Sequence, residues 1–143
     1  MARIKIILPD SFVYSTSFPV RITDLNYGAH VGNDNVLSFL HEARVRYLQS
    51  IGYTEFNLEG KGIIMADAAI IFKDEMYYGD DLKISIQPVE SNRVGFDLIY
   101  KIEKIWDGKT VIVVIAKTAM VCYDYSLKRI VSLPEIAKSK LTT

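Results

Sequence analysis

Between Arg21 and Arg44 the chain reads RITDLNYGAHVGNDNVLSFLHEAR, and this stretch holds most of the residues able to do chemistry. Asp24, Asn26, Tyr27 and His30 crowd a short polar loop that also contains Gly28 and Gly32. Asn33 and Asp34 follow where a helix N-cap is wanted. The first backbone N–H groups of a helix have no internal partner and carry the positive end of its dipole. A polarised carbonyl or a developing oxyanion is stabilised there. The chemistry implied is attack on a carbonyl held at the helix start, with a nearby side chain handling the proton.

Four side chains are candidates for that proton. Glu42 lies on the helix itself, roughly 13 Å along its axis from the proposed donor, too far for one helix to supply both groups. A glutamate from a second copy would close the gap; the competing reading pairs Glu42 with Arg46 one turn later. Asp24 keeps a carboxylate in the loop, where such residues commonly bond local N–H groups. His30 brings a residue type suited to proton transfer near neutral pH, or it packs and caps. Asp67 stands in the apolar run MADAAIIF, where burial would cost several kcal/mol without hydrogen bonds; it faces either the substrate groove or solvent.

Other chemistries lack support. No Gly-x-Ser-x-Gly elbow occurs. Cys122 sits within a strand pattern and reads as a packing residue. His30 and His41 have no companions at metal-ligand spacing, so neither a metal nor a cofactor is expected.

The elements that must position these residues are legible from periodicity. Residues Phe12–Ile22 read as a first strand. From Asp34 to Ile51, Val36, Leu37, Leu40, Ala43, Tyr47, Leu48 and Ile51 recur at helical spacing, and Gly52 follows as a C′ glycine would. From Lys61 to Pro134 the chain reads as strands, with a hairpin turn at Asp107–Gly108 and a turn near Ser126–Lys128. Pro134 opens a brief terminal helix. This is an α+β chain in which five to six antiparallel strands wrap one long central helix.

The chain has 143 residues, half of them hydrophobic, and 17 basic residues balance 17 acidic ones. That suits one domain, 1–143, and points neither to nucleic acid nor to a disordered tail. A single cysteine and the absence of a signal-like or membrane-spanning run predict a cytoplasmic protein. Apolar residues on both faces of the strand near Val111–Val121 predict a cover for the second face. With one long helix per chain, the simplest cover is another copy: a homodimer, or a dimer of dimers.

The Asp24-x-Asn26 loop with Gly28, His30-Val31-x-Asn33, Leu37 and Glu42-Ala43-Arg44 resembles the hotdog-fold acyl-CoA thioesterases, in particular the 4-hydroxybenzoyl-CoA thioesterase-like branch. Tyr78-Gly79-Asp80 with Leu82 looks like that family's Tyr-Gly-Asp-x-Leu turn, so the resemblance spans roughly residues 12–134. It implies hydrolysis of an acyl-CoA thioester by water at a dimer interface. The carbonyl is held at the helix start, with Asn26, His30, Glu42 and Asp24 as catalytic candidates and Tyr27, Gly28, Gly32, Asn33 and Asp67 against the substrate. One departure matters. Members that use the loop carboxylate carry Asp where this chain has Asn26, and an amide cannot accept a proton at neutral pH. Two alternatives follow: a non-catalytic acyl-CoA binder, favoured by Asn26, and a hotdog-fold enoyl-CoA hydratase. The hydratase reading needs an Asp-x-Asn-Pro-x-His motif; here Tyr27 replaces the proline and His30 falls one residue late.

Overall fold

The structure, a computed structural model, describes residues 3–141. Strand β1 (Tyr14–Pro19) leads through a 3-10 turn (Ile22–Asp24) into helix α1 (Asn33–Ser50). Strands β2 (Gly62–Phe72), β3 (Asp81–Val89), β4 (Gly95–Trp106), β5 (Lys109–Asp124) and β6 (Arg129–Ile130) follow, then helix α2 (Glu135–Leu141). All strand pairs are antiparallel in the order β1-β3-β4-β5-β2, with β6 beside β5. The long β4–β5 hairpin closes at Asp107–Gly108, both at positive φ (52° and 72°), as the sequence predicts.

α1 lies against one face of this sheet because its apolar positions recur on one side. Val36, Phe39, Leu40, Ala43, Tyr47 and Leu48 join Ile84 and Ile86 of β3 and Leu98, Tyr100 and Ile102 of β4 in a single core. Fully burying a leucine such as Leu40 or Leu48 contributes roughly 2 kcal/mol relative to leaving it in water. β1 adds Phe18 against Phe39 and Tyr14 against Tyr47, each with ring centres 5.7 Å apart. The helix ends in a Schellman motif. Tyr53 N–H reaches Leu48 O (2.8 Å), Gly52 N–H reaches Gln49 O (3.1 Å), and Gly52 takes φ +85°.

α1 also buries a charge. The Arg44 guanidinium gives Nε to Glu55 (2.9 Å) and Nη1 to the Tyr100 hydroxyl (3.1 Å), which lies 2.8 Å from Thr118 Oγ1. The other Glu55 oxygen is 2.5 Å from His41 Nε2. Burial pushes the Tyr100 phenol up, against the pull of Arg44 and Thr118, so it stays protonated within this chain of bonds. Cys122 is buried in β5, in keeping with a packing role.

The outer sheet face, for which another copy was the simplest expected cover, is partly covered from within the chain. The segment ahead of β1 crosses that face. Val13 N–H bonds Gln87 Oε1 (2.8 Å), Lys101 sits over the Phe12 ring (4.9 Å), and Ile4–Pro9 border a cleft of about 730 Å³ with Ala69, Val89 and Ile99. A short apolar segment can therefore shield residues that periodicity could only mark as two-sided. β2, an edge strand, leaves Met65–Ala68 exposed around a bulge.

Candidate functional site at the start of the central helix

The loop feeding α1 is braced from its first residue. Asp24 is buried, and its carboxylate accepts the Arg21 N–H (2.8 Å), the Arg21 guanidinium (3.3 Å) and the Asn35 amide of the first helical turn (2.8 Å). Burial pushes its pKa up, but the donors outweigh that effect and hold the carboxyl below the usual range. A carboxylate so engaged ties loop to helix.

Asn26 closes the next turn. Its side-chain oxygen accepts Gly28 N–H (2.8 Å), its N–H bonds His30 O (2.9 Å), and its carbonyl accepts Ala29 N–H (3.1 Å). Ala29 takes φ +66°, and Leu25 bridges Val31 to seal the loop. A Cβ at Gly28 would lie 3.3 Å from the His30 ring, so glycine lets the imidazole fold back over the loop. Tyr27 at the tip is fully exposed.

The helix begins one residue earlier than the expected Asn33/Asp34 cap. Gly32 is the N-cap, in extended geometry, and no side chain caps the helix. Tertiary contacts decide this: Val31 is buried and gives its N–H to Met76 O (2.9 Å), which sets where the chain must turn inward. Asn33 and Asp34 are thereby helical residues, and the first-turn N–H groups have no side-chain acceptor from the cap. Asn35 N–H reaches Gly32 O (3.0 Å), and a cleft of about 290 Å³ adjoins the turn, with His30, Asn33, Val36, Phe72, Lys73 and Glu75 among its walls.

The far wall of this cleft, residues 72–76, holds none of the sequence candidates. His30 Nε2 lies 4.0 Å from Glu75 Oε1, while His30 Nδ1 is 3.1 Å from Val31 O. The second Glu75 oxygen accepts the Tyr77 hydroxyl, and that bond pushes the Tyr77 phenol up. Lys104, buried, donates Nζ to Glu75 O (2.6 Å) and Asp80 Oδ2 (3.3 Å), and Asp80 Oδ2 accepts Tyr77 N–H (2.8 Å). The only hint in sequence was the charged run Lys73-Asp74-Glu75 ahead of the Tyr-Gly-Asp turn.

Two other candidates stand apart within one chain. Glu42 pairs with Arg46 (2.8 Å), which is held by Thr16 Oγ1 (2.8 Å), and it borders a separate shallow pocket with Ser38, His41 and Val45. Asp67 is exposed just past the β2 bulge and accepts Lys117 Nζ (2.9 Å), which also lies 3.8 Å from Asp97. The structure brings neither to the start of α1.

A long helix cradled by a six-stranded antiparallel sheet, with an uncapped N-terminus beside a cleft, defines a hotdog-fold protein. The family model described as the thioesterase-like superfamily matches residues 20–141, and the chain belongs to that superfamily. Among solved structures, a thioesterase-superfamily protein from Jannaschia sp. CCS1 aligns with TM-score 0.82 at 16% identity, covering 94% of this chain and 84% of its own. A 1,4-dihydroxy-2-naphthoyl-CoA thioesterase from Synechocystis gives 0.78 at 19% identity, with 90% and 94% covered. An Asp→Asn mutant of 4-hydroxybenzoyl CoA thioesterase, complexed with 4-hydroxybenzoyl CoA, gives 0.81 at 18% identity, with 90% and 97% covered. A search of curated proteins found no match. Among the described residues, no helix is long and apolar enough to cross a membrane.

Proposed function

We infer that this protein hydrolyses the thioester of a small or medium acyl-CoA, using water as nucleophile. The observation that carries the reading is the start of α1, where Gly32 offers no side-chain acceptor to the first-turn N–H donors and Asn33 lines a cleft. Such donors stabilise the charge that develops on a carbonyl oxygen under attack, and they act without reorganisation. Membership of the thioesterase-like superfamily supports the same chemistry.

A homodimer completes the reading. The exposed β2 edge and the exposed apolar side chains Leu37 and Val45 of α1, with Met65 of β2, offer a surface for a second copy. Glu42 would then reach a thioester only from the opposite protomer. The second reading, a non-catalytic acyl-CoA binder, draws on Asn26, whose amide closes a turn and cannot serve as base.

Purified protein assayed for free thiol across a panel of aliphatic, hydroxylated and aromatic acyl-CoAs separates the two. Hydrolysis of at least one class supports the enzyme. Micromolar binding of a non-hydrolysable thioether analogue with no thiol release across the whole panel supports the binder. Water addition to crotonyl-CoA in place of thiol release would move the assignment to a hydratase.

A further inference from the structure

We propose that Glu75 and His30 together hold and activate the attacking water, replacing the loop carboxylate that Asn26 lacks. The inference rests on the acyl-CoA hydrolase reading and names the group within this chain that takes the proton.

Hydrogen bonding assigns the roles. A backbone carbonyl only accepts, so the 3.1 Å contact with Val31 O places the proton of His30 on Nδ1. Nε2 is left as an acceptor, directed at the cleft 4.0 Å from Glu75 Oε1. Two acceptors at that separation do not bond each other, but they suit a shared donor. A water about 2.8 Å from each subtends an angle of roughly 90° between them, near the angle between its own two O–H bonds. Both hydrogens are then engaged, and the oxygen lone pairs point outward, toward a thioester whose carbonyl oxygen rests on the first-turn N–H groups of α1.

The surroundings hold Glu75 for this task. Tyr77 donates its hydroxyl to one carboxylate oxygen, leaving the other for the water. Lys104 clamps the Glu75 backbone carbonyl, and its ammonium lies 5.0 Å from the centre of the Tyr77 ring. The Val31 N–H to Met76 O bond fixes the spacing between the two walls. None of the other carboxylates named from sequence has this access. Asp24 is occupied by Arg21 and Asn35, Glu42 by Arg46 and Asp67 by Lys117.

In the reaction the water oxygen bonds to the thioester carbon as one proton passes to His30 Nε2. Collapse of the tetrahedral intermediate breaks the C–S bond. The leaving thiolate takes that proton from the imidazolium, so the acid and free CoA are released with the pair restored. The Glu75 carboxylate stabilises the imidazolium between the two steps.

The test compares kcat and KM of wild type, Glu75→Gln, Glu75→Ala, His30→Gln and Tyr77→Phe on the best acyl-CoA, with affinity for a thioether analogue measured alongside. His30→Gln is expected to lose kcat by about 100-fold or more, the scale of a lost general base, and Glu75→Gln, which removes the charge that steadies the imidazolium, by well over threefold, while analogue affinity is retained in both. Added formate should restore part of the turnover of Glu75→Ala by supplying a carboxylate in the vacated space. Tyr77 acts through Glu75 as a positioning residue, so Tyr77→Phe should lower kcat several-fold and leave KM unchanged. An active wild type whose Glu75→Gln variant keeps kcat within threefold would overturn the proposal and leave the hydrolase standing. Loss of analogue binding in step with kcat would overturn it too, because Glu75 would then serve the fold or the ligand. Absence of thiol release from the wild type would remove the hydrolase reading and this inference with it.

Discussion

Replacing Asp24 by asparagine separates a brace from a base. The carboxylate accepts two short bonds, from Arg21 N–H and the Asn35 amide, each 2.8 Å. The Arg21 guanidinium is 3.3 Å away but 73% exposed, so its charge adds little. Hydrogen bonds to a charged group contribute about 1.5–3 kcal/mol each. An asparagine keeps one accepting oxygen and turns an NH2 toward the other donor, losing one such bond and leaving a donor facing a donor. The expected cost is about 2–3 kcal/mol. For a chain of this size that lowers Tm by roughly 6–10 °C. The pH dependence follows from the same bonds. The folded pKa lies below 3.8, so the carboxylate stabilises the fold fully above that value. That contribution is lost as pH falls from there through the folded pKa, and the gap in Tm between wild type and Asp24→Asn should narrow over the same interval. Circular dichroism melts from neutral to acid pH read the stability, and thiol release at neutral pH reads the chemistry. Turnover per folded molecule should fall far less than the 10²–10⁴-fold that loss of a general base produces. An unchanged Tm with kcat down a hundredfold would refute the reasoning and make Asp24 the base.

Two further expectations concern the frame. Glu55→Gln leaves the Arg44 guanidinium, 8% exposed, without its carboxylate; with Glu55 itself 18% exposed, a cost of about 2–3 kcal/mol is expected in urea unfolding. Adding Arg44→Met should recover most of that loss, and strict additivity in the double-mutant cycle would show that the pair does not act as a unit. Gly95→Ala would set a methyl 2.0 Å from the Met120 carbonyl oxygen, a backbone atom that cannot swing away. A loss of more than about 2 kcal/mol, or failure to fold, is expected in thermal melts, and near-wild-type stability would mean that β4 and β5 can part without penalty.

The start of α1 was visible in sequence because each signal is local. A polar loop with glycines, an apolar stripe at helical spacing and a terminal glycine all act within a few residues, and the helix observed over Asn33–Ser50 follows the expected Asp34–Ile51 closely. The same holds for the Asp107–Gly108 turn, where two adjacent residues must take positive φ. Local signals misplaced the cap, since the Val31 to Met76 bond comes from the distant segment between β2 and β3 and moves the helix start to Gly32. They also left Asp24 and Glu42 open between chemistry and structure, a choice made within one chain by Arg21, Asn35 and Arg46.

By itself, then, the order of residues determined the elements and the α+β class, because periodicity and turn chemistry are properties of neighbours in the chain, while the hotdog family was legible through the motif between Asp24 and Arg44. Tertiary structure alone decided which side chains meet at the start of α1. Glu75 meets His30 because the segment after β2 folds back across the mouth of α1, pinned there by Met76 and Lys104. No spacing rule reports such a meeting, since its geometry depends on the whole sheet closing around the helix.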